Sequence, residues 1–538
     1  MRRHRTITDR EYAGELRIRA ADPDNQSGAD KTWVLHFLRS LERVFNNAHP
    51  AAKKRRQTQP SRKLYAILLL PLVFVCIQFN AETPGKERER ADALVIDVKP
   101  SQDRQVIDGF GGSLAFWGYD ASEEALRYAF EDLGATIVRV PGEASRSGAP
   151  DEYKAALRRV TKLAPRAQVL LCFWQPRSAA KPNASDWLED LGGKGYALKQ
   201  SMCAVWADEI VRRTQTVRQD WGVNVRVVSV QNEPNFSVPG SLTCRWEPQA
   251  LAEFTSEWLA PRLKKAGLGV QLAAPDLAYI GDKAAEAKRF HRVNATDDVS
   301  IFAYHMYDSY RDGEAPPGLA PIYARQAALG RYLRDQLPGK RVWMTETTGA
   351  QWNTKQWHSL GWQPKMDEHD KALAAAVYLH AAVVDAGSNA FLWWGLIYSL
   401  PGPMLQGEEA QKFRDEGLIL VERDKQQGVH RYAERTPKYY TFKQFSHFVR
   451  PGWVRLDVTA PPPRLLVAAF RSPDRKRVTA VVINVEKASR AVEPRLVGDA
   501  RYRLTEVHVT DRTHQCAAVP WTGSVTGESV TTLIYQIR

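Results

Sequence analysis

From residue 107 onward, short apolar runs alternate with longer stretches of helical period. The runs are IDGFGGSLAFW (107–117), TIVRVP (136–141), QVLLCFWQP (168–176), VRVVSVQNEP (225–234), VQLAAPD (270–276), SIFAYHMYD (300–308), RVWMTET (341–347) and AFLWWGL (390–396). Between them lie amphipathic stretches such as EEALRYAFEDLG, AVWADEIVRRTQTVRQDWG, PQALAEFTSEWLAPRLKKAG and DKALAAAVYLHAAVVDAG. Several close on glycine, as a helix C-terminus prefers. Strands alternating with helices predict βαβ units and a parallel sheet. Eight such units predict a closed (β/α)8 TIM barrel over residues 107–445. An open doubly wound sheet would want a glycine-rich phosphate turn after its first strand. The local GFGG (109–112) falls inside that strand and lacks the G-x-G-x-x-G spacing.

Past about residue 446 the texture changes. VRLDVTA, RLLVAAF, RVTAVVINV, YRLTEVHVT and VTTLIYQI alternate apolar and polar positions, with turn residues between them and no helical stretch. This predicts an antiparallel β-sandwich over 446–538. LVIDVKPSQDRQVI (94–107) has the same texture, so residues 94–106 are expected to add strands to that side domain.

Upstream, LYAILLLPLVFVCIQF (64–79) is an apolar run preceded by KKRRQTQPSRK. It reads as a signal peptide or short membrane anchor over 64–80, although it is shorter than the ~20 residues that comfortably span a bilayer. The basic flank places residues 1–63 on the cytoplasmic side and the rest outside. Residues 1–63, expected to be disordered, are then either the tail of an anchored protein or an extension ahead of an ordinary signal peptide. ETPGKERERAD (82–92) lacks apolar periodicity and fits a linker over 81–93. The working part is expected to be secreted or held at the outer surface by residues 64–79.

Charge does not redirect this picture. The 538 residues carry a net +14, but residues 1–63 alone hold 15 Lys+Arg and 7 Asp+Glu, or +8, which leaves +6 for the remainder. No basic stripe interleaved with aromatics appears there, so no nucleic-acid partner is expected. The 16 tryptophans favour a carbohydrate ligand, because sugar C–H faces stack on indoles, though most are expected in the core. Cys76, Cys172, Cys203, Cys244 and Cys516 form no C-x-x-C pair and no zinc spacing, so neither metal nor cofactor is expected. Cys172 reads as a buried core thiol. Cys203 and Cys244 should both lie near the catalytic face, where an oxidising compartment would permit a bridge.

Chemistry in a barrel of this type sits where the strands end. Proline at 234 cannot continue a strand, so VVSV must stop and leave Glu233 at its tip. Reading the tips in order gives Trp117, Arg139, Trp174, the pair Asn232 and Glu233, the pair His305 and Tyr307, Glu346, and finally Trp393 and Trp394. Each alone has a bland explanation: a solvated glutamate, a structural arginine, core tryptophans. Together they give two carboxylates among aromatics, with no metal cluster and no serine–base pair. That combination suggests glycoside hydrolysis. Asn232 would bond the sugar 2-OH. Tyr307 and Arg139 would keep Glu346 ionised. Glu233, as the acid, would need a less polar surround.

GFGGSLAFW, VSVQNEPNF, AYHMYDS, VWMTETTG, FLWWG and KYYTFKQFSHFVRPGWVRLDV together resemble glycoside hydrolase family 30, from about residue 94 to the C-terminus. The resemblance implies a barrel with a fused side β-sandwich and a retaining mechanism. It makes Glu233 the acid/base and Glu346 the nucleophile, and it matches Asn232, Arg139, His305, Tyr307, Trp117, Trp174 and Trp394 to substrate-binding cleft positions. The look is nearest the bacterial xylanase branch that reads glucuronic acid side groups. That branch carries an arginine after its last-strand tryptophans to clamp the glucuronate carboxylate. Here the segment reads WWGLIYSLPGPM, without arginine. The resemblance therefore implies hydrolysis of a β-linked polysaccharide, foremost xylan, by a monomeric enzyme. Cleavage of β-1,6-galactan or β-1,6-glucan, and a non-catalytic carbohydrate-binding homologue, stay as alternatives. Sequons at Asn183, Asn235 and Asn294 complete the inventory. A glycan on Asn235 would block the cleft, so that one is read as incidental.

Overall fold

The computed structural model describes residues 93–114, 122–142, 150–177, 184–237, 243–307, 319–348, 367–401, 414–423, 430–459, 464–497 and 501–537. The basic tail, the apolar run at 64–79, the linker up to residue 92, Trp117, Cys76 and Asn183 lie outside these. Among the described residues no helix is long and apolar enough to cross a membrane.

All eight apolar runs contain strands: Gly109–Leu114, Ile137–Pro141, Gln168–Cys172, Val225–Ser229, Gln271–Leu277, Val299–His305, Arg341–Glu346 and Ala390–Pro401. Each pairs in parallel with the next, and the eighth closes on the first. The helical stretches between them end as their glycines suggested. Gly134 and Gly387 take φ of 77° and 74°, a left-handed turn that a Cβ would disfavour.

Period two along each strand decides what the barrel holds. Ile137, Leu170, Val227, Ala273, Ala303, Trp343 and Leu392 form one buried apolar cluster inside it. Two positions further on, Arg139, Cys172, Ser229, His305, Thr345 and Trp394 follow on the same face. The apolar plug is thus overlaid by a polar layer at the C-terminal end, where the candidate chemistry lies.

The C-terminal region differs from the expected sandwich. Hydrogen bonds link nine strands into one continuous sheet, mostly antiparallel. Leu94–Val106 sits between Val454–Val458, antiparallel to it, and Arg490–Leu496, parallel to it. Alternation gives this sheet two apolar faces. Val478, Ala480 and Val482 belong to its own core, whereas Val481 and Ile483 join the barrel's core. The helix Glu368–Ala381 packs against this sheet and is buried almost throughout. Its Lys371 pairs with Asp415 at 2.6 Å, both side chains almost wholly buried. A second departure is a hairpin, Gly417–Arg423 and His430–Arg435, added to the outer half of the eighth barrel strand. Among the described residues tryptophan is largely core, and Trp187, Trp206, Trp343 and Trp393 are fully buried.

Candidate active site

The fourth strand ends at Ser229, and the next residues turn sharply. The Gln231 amide donates to the Trp174 carbonyl at 2.6 Å and accepts from the Trp246 indole at 3.1 Å. Asn232 N–H donates to the Phe173 carbonyl at 2.7 Å, and Glu233 N–H to the Asp276 carbonyl at 2.9 Å. Glu233 takes φ of 51°, a left-handed conformation that is uncommon outside glycine and recurs at functional sites. The seventh strand carries a bulge between Met344 and Glu346. The extra residue re-aims the chain, so Thr345 and then Glu346 both reach the cleft floor.

These devices bring Glu233, His305 and Glu346 together: an oxygen or ring nitrogen from each lies within 4.8 Å of the others. The Arg139 guanidinium donates through Nη1 to Glu346 Oε2 and through Nη2 to Asn232 Oδ1 at 2.5 Å. The Tyr307 hydroxyl donates to Glu346 Oε1 at 2.9 Å. His305 Nδ1 stands 3.1 Å from Glu233 Oε1 and 3.8 Å from Glu346 Oε1. Trp174 is buried, and Arg139 lies 4.6 Å above its ring, so it supports the arginine rather than presenting an open stacking face. Trp394 is half-buried, and its backbone N–H donates to the Thr347 carbonyl at 2.8 Å. Trp117 is the one site candidate outside the described residues.

Asp276, at the end of the fifth strand, was not singled out from the sequence. It is fully buried with φ of 63°. Ser229 Oγ donates to it at 2.6 Å, as do the Thr345 hydroxyl and, at 3.4 Å, the Cys172 thiol. Arg139 Nη2 lies 3.3 Å from one of its oxygens and His305 Nε2 3.3 Å from the other. The available signal was the same one that marked Glu233: an apolar strand, VQLAAPD, running into a carboxylate. Cys172 is buried as expected, but it also contacts Arg139 Nη2 at 3.1 Å and so belongs to the site floor.

Burial is the largest influence on His305 and pushes it down. Glu346, Asp276 and Glu233 outweigh it and hold the imidazole up at about 9, so it is a cation at neutral pH. Burial likewise pushes Asp276 up, but Arg139 and His305 hold it well below the usual carboxylate range. For Glu346, burial pushes upward. His305 and Arg139 pull down, Glu233 pushes up and the Tyr307 hydroxyl pulls down, with a net upward shift. The less polar surround expected for Glu233 is not what the structure provides, because His305 is aimed at it. The spacing of Glu233, His305 and Glu346 would suit a metal ion, but a protonated imidazole and the Arg139 guanidinium already supply the positive charge there.

Cys203 and Cys244 do not take up the bridge that an oxidising compartment would permit, and both are free thiols. Cys244 is fully buried, and burial pushes its thiol up, which disfavours the thiolate needed for exchange. Asn235 and Asn294 are both buried, with their amides bonded to the carbonyls of Tyr279 and Phe290.

No protein-family model matches the chain. Glucuronoxylanase XynC of Bacillus subtilis strain 168 is 24% identical over 447 residues, covering 81% of this chain and 87% of that protein. Among solved structures, a GH30 endoxylanase from Clostridium papyrosolvens C71 superimposes with a TM-score of 0.57 at 19% identity, covering 82% of this chain and 99% of that one. The endo-beta1,6-glucanase BT3312 also gives 0.57, at 18% identity, covering 82% and 94%. The resemblance to glycoside hydrolase family 30 is borne out.

Proposed function

Taking the chain as a member of glycoside hydrolase family 30, we propose that it hydrolyses a β-linked polysaccharide, foremost xylan, with retention of anomeric configuration. The observation that carries this is the closeness of Glu233 and Glu346, whose carboxylate oxygens lie within 4.8 Å. Retaining enzymes hold the two carboxyl groups about 5–5.5 Å apart, whereas inverting ones leave about 6.5–9.5 Å for a water.

The hydrogen bonds divide the roles. Both Glu346 oxygens already accept, one from Arg139 and one from Tyr307. A protonated Glu346 would have to donate from one of them and would lose a bond. Glu346 is therefore the ionised nucleophile, attacking the anomeric carbon as the glycosidic bond breaks. Three carboxyl groups (Glu233, Asp276, Glu346) surround two cations (Arg139, His305), which leaves the buried cluster one proton short of neutrality. That proton falls to Glu233, which passes it to the leaving oxygen. In the second half-reaction Glu233 takes a proton from water, and the water oxygen displaces Glu346 from the sugar. The Asn232 Oδ1 is held by Arg139, so its Nδ2 hydrogens are left for the sugar 2-OH.

The basic flank and apolar run at 53–79 support action outside the cytoplasm. Without an arginine in WWGLIYSLPGPM, glucuronate should not be required. The equal superposition on a xylanase and a β-1,6-glucanase keeps β-1,6-glucan as the second reading. The test is reducing-end release from glucuronoxylan and a neutral linear xylan side by side, with proton NMR of the first product formed. Release from both as the β-anomer supports the proposal. Release from neither removes xylan and leaves β-1,6-linked glucan and galactan to be tried. An initial α-anomer overturns the retaining mechanism.

A further inference from the structure

Asp276 touches neither proposed catalytic oxygen, yet it lies against both cations that do, Arg139 and His305. It has no exposed surface, and it lies 3.3 Å from both the Arg139 and the His305 nitrogens. Ser229, Thr345 and Cys172 donate to it from three other strands. A buried carboxylate with that many donors has no reason to be protonated, and it is too deep to meet substrate.

We propose that Asp276 is a positioning residue whose fixed negative charge sets the proton inventory of the Glu233–Glu346 pair. This proposal rests on the glycosidase reading for its kinetic consequence alone. With Asp276 charged, two cations face three carboxyl groups, and a neutral cluster requires one proton on the reacting pair. Without that charge, Arg139 and His305 balance Glu233 and Glu346 alone, and the pair no longer needs the proton that begins the reaction. Asp276 also fixes direction. It takes Arg139 Nη2 while Glu346 takes Nη1, and it lies 3.3 Å from His305 Nε2, the ring nitrogen away from Glu233, while Nδ1 faces Glu233. The groups facing His305 are Glu233 beyond the fourth strand, Asp276 on the fifth, Glu346 on the seventh, and the Tyr307 ring at 5.7 Å, perpendicular to it. Of these carboxylates, Asp276 alone takes no part in bond making.

The test is Asp276→Asn, a near-isosteric change that also tolerates the left-handed backbone at this position. The His305 imidazole is followed by NMR through a pH titration, its signal identified by its loss in His305→Asn. In the wild type it should stay protonated past pH 8. In Asp276→Asn it should lose its proton at lower pH, and the alkaline limb of kcat/KM should move down with it. kcat should fall roughly tenfold to a hundredfold while KM changes little, the signature of lost positioning rather than lost binding. Ser229→Ala removes a donor from the same carboxylate without removing its charge, and should leave both pH profiles in place. A folded Asp276→Asn with an unmoved limb and an unmoved His305 titration overturns the proposal. If Asp276→Asn does not fold, a wild-type His305 that titrates near its ordinary value of 6.5 overturns it as well. A wild-type chain that hydrolyses no glycan refutes the glycosidase reading, and the NMR arms still decide the role of Asp276.

Discussion

Replacing Arg139 by methionine removes the one group bonded at once to Glu346, Asn232, Asp276 and Cys172. Its side chain is fully buried, and that of Glu346 is only 8% exposed, so water cannot replace the lost donor. Removing one partner of a buried ion pair typically costs about 3–5 kcal/mol, because the other charge is left without compensation. The variant should lose stability on that scale in urea unfolding near pH 7. The kinetic loss has a separate origin. Nη1 holds the nucleophile oxygen, and removing one fixed donor from an active-site oxygen costs about 10²–10³ in kcat. The pH profile supplies the sign. Arg139 pulls Glu346 down against burial, so without it Glu346 rises further, and the acid limb of kcat/KM must move to higher pH. Arg139→Lys separates charge from shape. It restores a cation but cannot reach Glu346 and Asn232 together, so stability should recover more than kcat does. The assay is kcat/KM from pH 4 to 9 on the glycan that the wild type cleaves best. An Arg139→Met variant with an unmoved acid limb and more than a tenth of wild-type kcat would show that Glu346 does not depend on Arg139.

Glu346→Gln should abolish hydrolysis and leave oligosaccharide affinity nearly unchanged by calorimetry; residual turnover above background would point to another nucleophile. His305 sits higher in the fold, at about 9, than its unfolded 6.5, so its contribution is fully present below about pH 6.5 and is lost as pH rises through 9. That contribution is roughly 3 kcal/mol, and the urea midpoint should fall across this window in the wild type and stay flatter in His305→Gln. Lys371→Ala should cost about 3–5 kcal/mol by removing the ammonium 2.6 Å from buried Asp415, whereas Lys371→Met with Asp415→Leu should recover part of it; equal losses in the two variants would deny the pair its role.

The barrel was legible because period two and helical period alternate cleanly and several strands carry a polar residue at or near their C-terminal ends. Gln231, Asn232 and Glu233 before Pro234 announced their own turn. Asp276 was passed over although VQLAAPD carries the same signature, because a carboxylate that serves other side chains looks like one that serves substrate until its partners are seen. Those partners, Ser229 and Thr345, are ordinary strand residues in the sequence. The single nine-stranded sheet was hidden for a different reason. The alternation of 94–106 pointed to that sheet, and the strand Leu94–Val106 does pair there, but its place between two C-terminal strands is a pairing made across the whole chain. The imidazolium at Glu233 was likewise invisible, since His305 owes its charge to carboxylates from three strands.

That inserted strand also imposes an order in time. Asp97 accepts from Arg495, 398 residues later, and Gln105 from Arg455, 350 residues later. A ribosome adding ~5–20 residues per second completes the barrel's eight strands roughly 3 to 20 seconds before these partners are made. Throughout synthesis Leu94–Val106 waits with both ladder edges open, and such edges recruit other strands. The last hundred residues therefore act as a clasp on a nascent chain, and a transcript or protease that removes them would leave a barrel carrying an exposed strand at its threshold.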